Sequence, residues 1–319
     1  MATLYPPAHP YDSGMLDVGD GNAVYWEVCG NPSGKPALVL HGGPGSGCTD
    51  SLRRLFDPDA YRIVLVDQRG AGRSTPHASD AATDMSVNTT EHLLADLERL
   101  RVHLGIGAWL VYGRSWGTTL GIVYAERYPE RVSELVLAAV CLTRRSDIDW
   151  LYHGMRRHFP SEWACFRDGV PPADRDGDLV DAYARLLAHP DEGVRQRASR
   201  DWCAWEDAIV AAESGGGPNP RYADARFCLG FARTVTHYFA HGAWLADDQL
   251  VHDAHLLAGI PGVLIHGRRD LGSPLQSALE LAGAWTGIEL VVLDVAGHTS
   301  DELGECVVDA TDRFAVHGS

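Results

Sequence analysis

"GRSWG", residues 113–117, sets Gly113 and Gly117 two positions either side of Ser115. In a chain with 34 glycines such a string can arise by chance, so its neighbours decide the reading. Directly before it, Trp109 to Tyr112 form an apolar run. Directly after it, "TTLGIVYAERYP" (118–129) has the pattern of a mostly buried helix stopped by Pro129. A nucleophile elbow needs this succession of strand, sharp turn and helix, with small residues relieving crowding where the chain doubles back. The context therefore predicts a nucleophile at Ser115 rather than an ordinary loop serine.

Further runs of the same kind flank the elbow: Ala37 to Leu40, Ile63 to Val66, "SELVLAAV" (133–140), "PGVLIHGRRD" (261–270) and "IELVVLDVAGH" (288–298). Apolar runs this continuous fit strands buried on both faces, as in a parallel sheet covered by helices. Between them, "TEHLLADLERLRVHLG" (90–105) places Leu93, Leu97, Leu100 and Leu104 on one helical face, with Thr89 or Thr90 as cap and Gly105 as stop. The fold class is α/β, with a mostly parallel central sheet and flanking helices. The strand rhythm breaks between about 143 and 256, a Trp-, Arg-, Asp- and Ala-rich helical stretch with one loop, "ESGGGPNP" (213–220). It reads as an inserted helical cap domain over residues 143–256, the core being 1–142 and 257–319.

Composition narrows the partners. The 319-residue chain is 45% hydrophobic, enough for a sizeable core, and carries a formal net charge of -16. That charge repels nucleic acid and anionic membrane surfaces. The longest apolar run, "LVLAAVCL" (135–142), is far short of the roughly 20 residues that span a bilayer. Seven cysteines without a C-x-x-C pair read as reduced thiols, and the N-terminal stretch lacks the pattern of a signal peptide. A cytoplasmic protein is expected, and homo-oligomerisation is compatible with the sequence.

A serine nucleophile needs a base, and the base an orienting carboxylate. In this fold the chain order is Ser, then Asp or Glu, then His. "VLIHGRRD" offers Asp270 after one late run and "VVLDVAGH" offers His298 after the next, both at the carboxyl edge of the sheet. Asp294 is a rival acid, set lower because it lies inside a strand run. An oxyanion would be held by the backbone N–H of Trp116 and by that of Gly43, in "HGGPG" (41–45). Asp67 and Arg69 of "DQRGAGRS" (67–74) read as structural hydrogen-bonders. "HDAH" (252–255) has helical metal-ligand spacing but no evident further ligand, so neither metal nor cofactor is expected.

"HGGPG", "DQRGAGRS", "GRSWGTTLG" (113–121), "WEDAI" (205–209), "HYF" (237–239), "HGRRD" (266–270) and "GH" (297–298) together resemble the proline iminopeptidases of the α/β-hydrolase superfamily, from about residue 20 to 315. The resemblance implies a helical cap and, in it, a glutamate that binds the substrate's free α-amine, at the position of Glu206. An ammonium leaving water does require a carboxylate partner. Trp116, Trp205, Tyr238 and Phe239 could wall an apolar pocket for a proline ring. Two departures stand out: Val235 replaces a second amine-binding glutamate, and Arg114 replaces the usual glycine before the nucleophile, adding positive charge beside the substrate. The expectation is a serine hydrolase that releases an N-terminal proline or small residue from peptides through a triad of Ser115, His298 and Asp270. The alternatives are an esterase, amidase or tailoring enzyme on a small non-peptide metabolite, and a non-catalytic binding protein.

Overall fold

The computed structural model describes residues 3–214 and 218–316. Its strands are β1 (Asp12–Gly19), β2 (Asn22–Gly30), β3 (Lys35–Leu40), β4 (Tyr61–Val66), β5 (Trp109–Ser115), β6 (Val132–Val140), β7 (Gly262–Gly267) and β8 (Glu289–Leu293). They form one sheet in the order β1-β2-β4-β3-β5-β6-β7-β8. Pairing is parallel from β4 through β3 to β8, and antiparallel for β1 with β2 and β2 with β4. The central strands bury nearly every side chain, which is why they appear in sequence as unbroken apolar runs. β1 alternates exposed and half-buried positions at the sheet margin, and so has no such run. β8 is the other edge, paired only to β7 and half-buried rather than covered on both faces.

The helices are α1 (Thr90–His103), α2 (Trp116–Arg127), α3 (Arg145–Tyr152), α4 (Pro160–Asp168), α5 (Leu179–Leu187), α6 (Glu192–Ser214), α7 (Ala225–Ala240), α8 (Gln249–His252), α9 (Leu275–Ala284) and α10 (Asp301–Val316). Thr89 caps α1 by accepting from the His92 N–H, and Leu93, Leu97 and Leu100 are buried beneath it. Between β6 and β7 the described residues form helices and no strand. These helices have their own aromatic core, in which Phe166 stacks on Tyr183 at 4.6 Å and on Trp205 at 5.5 Å. The loop expected at 213–220 begins later than predicted, since α6 runs to Ser214. Part of it, 215–217, lies outside the described residues.

Asp294 lies just beyond the end of β8, not inside it, exposed and paired with Arg268 at 2.8 Å. His252 is exposed and bonded to Asp253. Among the described residues, no group of three or more His, Cys, Asp or Glu could hold a metal, and no helix is long and apolar enough to cross a membrane.

Candidate active site

β5 ends on Ser115 and α2 begins on Trp116, so the chain reverses direction within one residue. Ser115 takes φ 55 and ψ -127, a backbone conformation that L-residues rarely adopt. The flanking glycines are required by contact. A Cβ on Gly113 would collide with the Gly117 carbonyl oxygen, and one on Gly117 with the Leu40 carbonyl oxygen. The five-residue motif is thus a packing constraint that holds the serine up at the end of its strand.

Parallel strands present their carboxyl ends on one edge, and the other predicted residues arrive there from neighbouring strands. The loop after β7 carries Asp270, which is buried, and the loop after β8 carries His298. His298 Nδ1 lies 3.0 and 2.9 Å from the two Asp270 carboxylate oxygens. Asp270 also accepts from the Ser273 N–H at 2.6 Å. His266, buried at the end of β7, accepts from the Val140 N–H through Nδ1 and donates to the Ser273 carbonyl through Nε2, pinning this loop to β6. Burial pushes the His266 pKa down and keeps its ring neutral.

His298 is held on its backbone as well. Its N–H donates to Glu213 Oε2, and its carbonyl accepts from Arg114 Nη2 at 2.6 Å. The other Glu213 oxygen accepts from the N–H groups of Leu271 and Gly272 at 2.6 and 3.1 Å. One carboxylate on α6 therefore grips both loops, the one that carries the acid and the one that carries the imidazole. Burial disfavours the charged His298 ring, but the Asp270 charge and hydrogen bond, together with the Glu213 charge, outweigh it, and the net shift is upward. Such a ring is a base only above its raised pKa.

The "HGGPG" loop is fixed by a second buried histidine. The Gln68 N–H can only donate, so His41 Nε2, 3.0 Å away, accepts, and Nδ1 must carry the proton it gives to the Gly42 carbonyl at 2.9 Å. Burial lowers the His41 pKa and favours this neutral form. The peptide unit is planar and trans, so anchoring the Gly42 carbonyl turns the Gly43 N–H the opposite way. A Cβ at Gly42 would lie 3.3 Å from Ser115 Cβ, which places this backbone against the serine. The Trp116 N–H opens α2, where amides lack an intrahelical acceptor. Gln68 ties the two donor-bearing segments together, accepting from Trp116 Nε1 and donating to the His41 carbonyl. Asp67 accepts from the Cys48 N–H, and Arg69 pairs with Asp96.

Ser115, His298, Glu206, Arg114 and the Gly42–Gly43 stretch line one cavity of about 240 Å³. Ser115 Oγ and His298 share it without a direct hydrogen bond between them among the described residues, a spacing common before a substrate tightens such a pair. Glu206 enters from α6 and accepts from the Tyr152 hydroxyl at 2.6 Å. Burial raises its pKa, and the Tyr152 hydrogen bond and the His298 charge only partly offset this. The cavity can receive a small ligand with an acyl carbon at the serine and a cationic group at Glu206.

The predicted aromatic wall needs correction. Trp205 is buried among Phe159 and Phe166, and its Nε1 donates to the Leu151 carbonyl. Tyr238 packs on Trp116 and donates to Asn88 Oδ1. Phe239 borders a separate small void beside Cys141. None of these three lines the Ser115 cavity, and the Trp116 side chain points to Gln68. The aromatic lining comes from Tyr222, Phe227 and Phe231. Phe227 and Phe231 are one turn apart on α7 and stack at 5.6 Å, whereas Tyr238 and Phe239 lie nearly two turns further along. Val235 is buried and also absent from the lining. Sequence reasoning missed Glu213 and Arg221 as well. The spacing of seven from Glu206 to Glu213, two turns along one helical face, was the available signal.

Residues 35–302 match the α/β hydrolase fold family. The chain is 53% identical over 322 residues to a Streptomyces coelicolor protein named "Probable proline iminopeptidase", covering 99% of each. It is 46% identical to the proline iminopeptidase of Xanthomonas citri, over 99% of this chain and 100% of that one. A solved proline iminopeptidase from Mycobacterium smegmatis superposes with a TM-score of 0.62 at 18% identity, covering 97% of this chain and 100% of that one.

Proposed function

Because the chain belongs to the α/β hydrolase fold family and, within it, to the proline iminopeptidases, we propose that it is a serine hydrolase that releases N-terminal proline from short peptides. The observation that carries the reading is the meeting, in one small cavity, of a strained serine, an Asp270-bound imidazole and a lone carboxylate, Glu206. Ser115 Oγ attacks the scissile carbonyl while His298 Nε2 takes its proton. The same ring then protonates the leaving amine, and water hydrolyses the acyl-enzyme by the reverse proton path. Asp270 orients the ring and stabilises it when charged. The Gly43 and Trp116 N–H groups hold the oxyanion. Glu206 pairs with the prolyl ammonium, which sets the acyl group's register over Ser115. Residues 143–256 act as the cap that supplies Glu206 and the aromatic wall. Cytoplasmic action agrees with seven cysteines that form no disulfide.

A prolyl anilide beside its N-acetylated twin tests the reading. The free amine is expected to be cleaved at least about a hundredfold faster, because acetylation removes the charge that Glu206 pairs. Equal rates on the two would overturn the assignment of an amine site.

Glu213→Gln tests how the base is positioned. The amide keeps the shape but removes a negative charge near His298. That charge raises the imidazole pKa, so its loss moves the acid limb of the kcat/KM profile to lower pH. The plateau rate is expected to fall by about tenfold as the grip on the two loops weakens. A lower rate with an unmoved acid limb would reduce Glu213 to a purely structural tie.

A further inference from the structure

Two guanidinium groups enter the same cavity, and no acidic side chain lies within ion-pairing distance of either among the described residues. Arg114 spends one nitrogen on the His298 carbonyl. Arg221 donates to the Ser46 carbonyl and stacks on Phe227, with Cζ 4.0 Å from the ring centroid. A guanidinium has five N–H donors, so each retains free ones. Burial pushes the Arg221 pKa down, and the Tyr222, Asp67 and Cys48 charges offset this only in part. In this chain of net charge -16 other arginines, Arg53, Arg69, Arg73 and Arg144 among them, do find a carboxylate. The Phe227 ring beneath Arg221 restrains its guanidinium, whose planar fork matches the planar geometry of a carboxylate.

We infer that Arg221, assisted by Arg114, forms a carboxylate subsite on the leaving-group side of Ser115, so that the preferred substrates are proline-headed dipeptides with a free C-terminus. The inference rests on the proline-releasing reading above. A zwitterion would then span the cavity, ammonium on Glu206 and carboxylate on Arg221. The ends of an extended dipeptide lie about 7 Å apart. The cavity of about 240 Å³ falls below the roughly 300–1,000 Å³ typical of sites for drug-sized ligands, which suits so short a peptide.

The test compares Pro-Gly with Pro-Gly amide, which differ only in the terminal charge. Turnover is measured on the intact enzyme, and binding is measured by calorimetry on Ser115→Ala. The free acid is expected to be favoured by about tenfold in both assays, the worth of one charged hydrogen-bonded contact. Arg221→Gln brings the acid-to-amide ratio close to one, whereas Arg221→Lys, which retains the charge, keeps part of the preference. A wild-type ratio near one, or a ratio that survives Arg221→Gln, overturns the subsite. Arg221 would then serve only to brace the Ser46 loop. If Ser115→Ala binds the acid preferentially but the intact enzyme cleaves neither peptide, the subsite stands and the peptidase reading falls.

Discussion

Ser115→Ala lowers kcat/KM on a prolyl anilide by about 10⁴- to 10⁶-fold, and the protein no longer labels with a fluorophosphonate. In the proposed mechanism the loss is this large because Asp270, His298 and the oxyanion donors act through the serine as one unit. Without Oγ, the His298 base has no nucleophile to deprotonate, and only binding and the Gly43 and Trp116 N–H groups still favour the transition state. The fold should not change, because alanine keeps the Cβ and the tight turn at φ 55 is built by Gly113 and Gly117. Circular dichroism and a thermal melt close to those of the wild type would confirm that chemistry, not folding, was removed. Residual turnover within tenfold of wild type would mean that another group attacks the carbonyl, and the whole site assignment would fail.

Glu206→Gln is expected to cost about 10²- to 10³-fold in kcat/KM on the free-amine anilide, the usual penalty for leaving a buried charge without its partner. The N-acetylated anilide, which brings no cation, should lose far less. The pH dependence carries a second check. Burial holds the Glu206 pKa above the ordinary carboxylate value. The carboxylate that pairs with the ammonium therefore forms only above that raised value, and kcat/KM for the free amine rises with pH through it. In Glu206→Gln this ionisation disappears, and the remaining acid limb belongs to His298. An equal loss on both anilides would show that Glu206 supports the cap rather than the amine, through its bond to Tyr152.

With Val235 buried in α7 and absent from the cavity lining, Glu206 is the acidic side chain at the predicted amine position. The charge balance of the cavity then differs from that of a site with two carboxylates. Among the described lining residues one acid accompanies Arg114 and Arg221, a balance that suits the proposed zwitterionic dipeptide better than a long peptide or a neutral ester.

The chain's own pattern determined the parallel core, the elbow at Ser115 and the order of Asp270 and His298 behind it. These are local signals. Buried strands must be apolar throughout, a strained turn must be flanked by glycine, and residues that follow strand ends reach a common edge whatever the rest of the chain does. The antiparallel strands β1 and β2 left a weaker trace: β1 is a wetted margin of the sheet, and β2, though buried, has its apolar run interrupted by Asn22 and by Glu27, which pairs with Arg53 and Arg73. The cavity wall was decided only by the tertiary structure. Trp205 and Phe227 are both aromatic residues on helices between β6 and β7, and nothing in their neighbours tells which ring faces the serine and which packs among those helices. That choice depends on the rotation of α6 and α7 against the sheet, which long-range packing sets. The same rotation brings Glu213 onto the backbone of two loops that lie 58 and 85 residues further along the chain. Hydrogen bonds to a backbone N–H leave no signature in the identity of the donor residue, so only the folded chain could reveal them.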